Sequence, residues 1–128
     1  MSYHFWTRKS KLDDIDELLN CLRSGLPSAS YSMIGKVFDG LLKLKGNYEG
    51  WWNTEWDEKP LGALINIAEV KKRLTDTIGS QGFRRLNASG VVMRNLGAHQ
   101  NFEKVSIDEA LASTRFLFDF IERWLSLN

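Results

Sequence analysis

The chain is poor in residues that cross-link, coordinate metals or interrupt helices. One of its 128 residues is cysteine, Cys21, so no intramolecular disulfide can form, and the composition predicts a reducing, cytoplasmic setting. His4 and His99 are the only histidines. With one cysteine and no metal-binding spacing, no metal or cofactor is implied. There are two prolines, Pro27 and Pro60, so long stretches are free of the residue that breaks helices. No apolar run nears the roughly 20 residues that cross a bilayer, and the opening Met1-Ser-Tyr-His-Phe-Trp-Thr-Arg-Lys9 reads as no signal peptide. An excess of either charge is also missing. Lys and Arg total 17 against 16 Asp and Glu, for a net charge of +1. Bulk electrostatics therefore do not mark a nucleic-acid binder, and any anion site must be local.

The chain does have core-forming material. Hydrophobic residues make up 43%, and the aromatics are seven Phe, five Trp and three Tyr, enough to fill the core of a single domain spanning 1–128. Helical periodicity dominates. Residues 1–9, with His4 among them, read as an arm or a short helical turn. Ser10 caps a helix over 11–23 whose apolar set is Leu12, Ile15, Leu18, Leu19 and Leu22; Gly25 stops it and Pro27 follows. Ser28 opens a second helix over 29–45, with Tyr31, Ile34, Phe38, Leu41, Leu42 and Lys45 on the buried stripe. Gly35 and Gly40 mark close helix approach, and Gly46 ends the helix.

Residues 46–59 read as a loop rich in tryptophan. Trp51, Trp52 and Trp56 suit either a stacking platform for bases or a plug over the bundle or a subunit interface. Glu49, Glu55, Asp57 and Glu58 surround them and repel phosphate, which favours the plug. Pro60 starts a third helix over 61–75. It carries the basic run Lys71, Lys72 and Arg73, either a solvated face or a guide for an RNA backbone. Ile78 and Gly79 close that hairpin. Ser80 caps a fourth helix over 81–98, where Phe83, Leu86, Gly90, Met93 and Gly97 form a seam and Arg84 and Arg85 add basic density. Ser106-Ile-Asp-Glu109 is a capping box that opens a last helix over 107–125. That helix is apolar round so much of its circumference that it is either central or shared with a second subunit.

The stretch that carries chemistry is Arg94-Asn95-Leu96-Gly97-Ala98-His99. It brings an always-charged guanidinium near a titratable imidazole, a pair that suits phosphate chemistry. On an ideal helix Arg94 borders the packing seam, and Gly97 lets the last turn unwind so that His99 swings back toward it. Taken singly, Arg94 also reads as a structural ion pair and His99 as a helix C-cap.

An Arg-Asn-x-x-x-His sequence late in a penultimate helix, within an up-and-down all-α bundle of about five helices, resembles the HEPN superfamily. The resemblance is best over residues 80–125. The stretch from Val92 to His99, followed by the capped last helix, looks most like the short members found alone or attached to defence and restriction proteins. The resemblance implies a metal-independent endoribonuclease with a composite site between two protomers. His99 would be general base or acid, Arg94 would hold the phosphate, and Asn95 would orient the histidine or bind the backbone. Lys71, Lys72, Arg73, Arg84 and Arg85 would contact RNA. The partners implied are a second copy, RNA, and an antitoxin or defence-system protein, with no membrane. The alternative is a non-catalytic module of the same shape that dimerises or binds a nucleotide or partner.

Overall fold

A computed structural model describes residues 3–89 and 105–126, with side chains from Asp13 onward. The chain is an all-α bundle. Among the described residues the helices are α1 (Tyr3–Arg23), α2 (Pro27–Glu49), α3 (Leu61–Leu64), α4 (Ala68–Asn87) and α5 (Ile107–Trp124), with a 3-10 turn at Thr54–Trp56 and no strand. None of these helices is long and apolar enough to cross a membrane.

The central element is α2, which starts on Pro27, where a missing N–H leaves no hydrogen bond unmade. It buries residues on nearly every face, including Tyr31, Ile34, Val37, Phe38, Leu41 and Leu42. Its expected stripe is therefore only part of what it buries. α1 packs along one side of α2 and α5 along another. Where α2 buries polar groups they are bonded: the Ser30 hydroxyl donates to the Leu26 carbonyl at 2.8 Å.

α2 continues past the expected stop at Gly46 to Glu49. Gly46 is needed for a different reason. A Cβ there would lie 2.9 Å from both Cβ and Cε3 of Trp52, so only glycine lets the tryptophan segment close onto the helix. The N–H groups of Trp51 and Trp52 both donate to the Gly46 carbonyl. At the other end, the helical assignment begins at Tyr3, so residues 3–9 extend α1 rather than forming an arm. α1 stops as expected: the N–H of Leu26 donates to the Cys21 carbonyl and that of Gly25 to Leu22, a paired C-terminal closure.

The single helix expected over 61–75 is split. α3 lasts one turn and α4 begins at Ala68. Between them the Asn66 amide donates to the Gly62 carbonyl and to Asn87 Oδ1, the local competition by which asparagine interrupts helices. The break expected at Ile78–Gly79 is present as a kink within α4, where Gly79 has φ 78° and ψ 167°. That region is essentially closed to residues with a Cβ. Beyond the kink Phe83 and Leu86 return to the core.

α5 begins as the sequence predicts: Ser106 is the N-cap and its hydroxyl accepts from the Glu109 N–H at 3.1 Å. Ala110, Thr114, Leu117, Phe120 and Trp124 are buried. Four other apolar side chains are not: Ile107, Leu111, Phe118 and Leu125 are each about 40% exposed or more. Of the two expectations for this helix, the central position belongs to α2.

Candidate functional site

Arg94, Asn95 and His99 lie outside the described residues. The structure does bear on the frame in which they were read. The helix expected to run from 81 to 98 has a turn at Ala88–Ser89, after α4 ends at Asn87. Ser89 Oγ donates to the Leu86 carbonyl at 2.7 Å, and the Asn87 side chain is held by Asn66. The helix that carries Phe83 and Leu86 therefore ends at Asn87, short of the expected 98.

The five basic residues read as RNA contacts do not share one surface role. Arg73 is half-buried and held by its neighbours. Its guanidinium lies 4.7 Å from the Trp51 ring, 3.5 Å from Glu49 and 3.3 Å from Glu69. Its buried Nε faces Glu69 as an ion-pair contact without an aligned hydrogen bond. Lys71 sits 5.3 Å over the Phe83 ring. Lys72 and Arg84 are exposed, and Arg85 lines a cavity between helices.

The tryptophan segment packs into the bundle. Trp51, Trp52 and Trp56 are partly buried against the core. Trp56 stands edge-on to Trp52 at 5.3 Å, and Trp51 edge-on to Trp124 at 6.3 Å. Trp124 stacks on Phe120 at 5.2 Å, and Phe120 meets Phe38 at 4.8 Å. The indole N–H of Trp51 donates to Glu49, and that of Trp52 to Asp57 at 2.8 Å. The Trp52 hydrogen bond, reinforced by Lys43 at 3.1 Å, holds the Asp57 carboxyl below its usual range. These rings are occupied with one another and with their own carboxylates, the arrangement of a plug rather than of an open stacking platform.

An accessible, chemically mixed surface lies elsewhere, between α4 and α5. A cavity of about 480 Å³ has buried Ile34, Phe38 and Leu86 beneath it and exposed Arg85 and Arg115 at its edges. A second cavity of about 250 Å³ continues past Gln81 and Arg123. Both are lined by Arg85, Phe116 and Asp119. Asp119 pairs with Arg123 at 3.3 Å. Among the described residues neither Arg85 nor Arg115 has a carboxylate partner. In the sequence Arg115, Asp119 and Arg123 stand out only as part of the polar side of the last helix. Their spacing of four was the available sign that they share a face.

No three His, Cys, Asp or Glu side chains among the described residues are grouped to hold a metal ion. Cys21 is a free, partly buried thiol. The architecture defines the class, an all-α bundle. Beyond the class, comparison with protein families, curated proteins and solved structures finds no match.

Proposed function

We propose that this chain is a metal-independent endoribonuclease acting as a homodimer, in a defence or toxin–antitoxin setting. The observation that carries the reading is Arg94-Asn95-x-x-x-His99 in a chain that folds as an all-α bundle. RNA contains its own nucleophile. The ribose 2′-oxygen attacks the adjacent phosphorus, the bond to the 5′-oxygen breaks, and the products are a 2′,3′-cyclic phosphate and a 5′-hydroxyl. His99 takes the 2′-hydroxyl proton or supplies one to the leaving oxygen, and Arg94 stabilises the charge on the phosphate. Asn95 orients the histidine or binds the backbone. In the composite site each protomer supplies one such set.

The exposed side chains of α5 support pairing with a second copy. Ile107, Leu111, Phe118 and Leu125 recur at intervals of four and seven along one line of the helix, the spacing by which two helices pack along a seam. The same stripe favours a second reading, a non-catalytic dimerisation module bound to a partner protein.

The two readings separate by incubating labelled RNA with the protein in EDTA beside His99→Ala and Arg94→Ala. Cleavage to cyclic-phosphate ends that both substitutions abolish supports the ribonuclease. A folded dimer that leaves RNA intact in all three forms supports the module.

A further inference from the structure

We infer that the groove between α4 and α5 is the track for single-stranded RNA, with Arg85 and Arg115 on its phosphates and Phe116 beneath a base. This assignment rests on the RNA-directed reading above but uses none of the residues in the Arg94–His99 stretch.

Arg85 and Arg115 come from different helices and border one cavity. Among the described residues neither has an ion-pair partner, although the cavity also holds Asp119, which is drawn to Arg123. Two guanidinium groups facing one space repel each other until an anion lies between them, and their planar forks match phosphate oxygens. Arg123 borders the adjoining cavity. Three arginines against one aspartate leave the groove basic in a chain whose net charge is +1.

The interior of the groove is aromatic. Phe116 is partly buried, reaches both cavities, and packs 6.1 Å from Phe38, which backs it from α2. A basic edge over an aromatic floor is what holds unpaired bases, because every base offers a π face and the backbone follows the cations. A volume of about 480 Å³ lies within the range of sites that enclose a small planar ligand. A duplex buries its base faces in its own stack and cannot use such a floor. Among the described residues that line the two cavities, Asp119 is the one carboxylate, and it is paired with Arg123.

Binding of a short, fluorescein-labelled RNA, 2′-O-methylated so that it cannot be cut, tests the assignment by anisotropy over a salt series. Arg85→Gln and Arg115→Gln are expected to weaken binding several-fold each and to reduce the salt slope by about 0.7 per lost phosphate contact. Phe116→Leu is expected to weaken binding about tenfold with the salt slope unchanged. Lys59→Gln, a charge-matched change outside the groove, should bind as the parent does. Circular dichroism of each variant establishes that it is folded. If the parent binds and the three groove variants bind equally well, the groove assignment is wrong while the RNA reading stands. Loss of binding in Lys71→Gln or Lys72→Gln instead would place the track on the other face of α4. Equal affinity for the same RNA as a duplex would overturn the aromatic floor. A parent that binds no RNA at low salt removes both the groove and the reading on which it rests.

Discussion

Trp124 is the side chain whose loss should cost this fold most. It is fully buried at the end of α5, and its indole N–H donates to the Leu41 carbonyl of α2 at 2.9 Å. Phe120 stacks on it, Trp51 meets it edge-on, and the Lys45 ammonium sits 4.6 Å over its ring. Trp124→Phe keeps an aromatic ring but loses the N–H donor, worth about 0.5–1.5 kcal/mol, and roughly one more for the missing apolar edge. The expected loss is thus about 2 kcal/mol. Trp124→Ala removes the whole side chain beneath Trp51 and should destabilise by about 3–5 kcal/mol, a large share of the roughly 5–15 kcal/mol available to a domain. The Lys45 hydrogen bond to the Trp124 backbone oxygen survives both changes, so it does not blur the comparison. Urea denaturation of the parent and both variants reads the differences, with unchanged m-values required for the comparison to hold. A Trp124→Ala loss of only about 0.5 kcal/mol, the scale of a surface change, would show that the aromatic chain from Phe38 to Trp56 is not a packed unit.

Three further outcomes follow from other parts of the bundle. Gly79→Ala and Gly79→Asn should each destabilise by about 1–3 kcal/mol through backbone strain alone, since a Cβ there meets nothing within 4 Å; urea midpoints equal to the parent's would rule out the kink. The Asp57 carboxyl is held low by Trp52 and then Lys43, so its contribution is complete above the unfolded carboxylate value of about 3.9 and fades as pH falls through the lower folded value. Trp52→Phe removes the larger cause, and acid unfolding followed by circular dichroism should then begin at higher pH; superimposable acid profiles would refute the linkage. Phe118→Glu changes a residue that is 40% exposed and should leave the urea midpoint nearly unchanged while light scattering reports a shift from dimer to monomer. A parent that already scatters as a monomer at micromolar concentration would exclude pairing through α5.

Much of the architecture was legible because it depends on local rules. The Ser106 cap and Glu109 marked the start of α5, Gly25 followed by Pro27 the end of α1, and periodicity part of what α2 buries. What was misread depends on contacts distant in sequence or on side chains turning onto their own backbone. Gly46 looks like a helix stop, but its role comes from Trp52 pressing against it. Asn66 splits an otherwise continuous apolar pattern because its amide bonds Gly62 and reaches Asn87 on another helix. Of the site, the basic residues could be named from sequence but not sorted. Lys71 to Arg73 form the denser run, yet Arg73 is held by Glu49, Glu69 and Trp51. No count of charges reveals which guanidinium has been neutralised by the fold.

That sorting explains how a chain with nearly balanced charge can offer a cationic groove. The balance is met unevenly in space. Around the tryptophan segment, Glu49 and Glu69 take up Arg73, and Asp57 takes up Lys43. Acid and base cancel there, at the end of α5 where Trp124 is anchored. On another flank of the same helix, Arg115, Asp119 and Arg123 recur at intervals of four, and Arg85 faces them from α4 with one carboxylate among the three cations. The backbone makes this meeting possible. Gly79 bends α4 six residues before Arg85, so the segment carrying Arg85 leaves the path set by Lys71 and Lys72. Straightening that bend should therefore do more than lower stability. On the proposed RNA track, a Gly79 variant that remains folded should also lose the Arg85 contribution to the salt slope of binding, linking a backbone torsion to an electrostatic readout some distance along the helix.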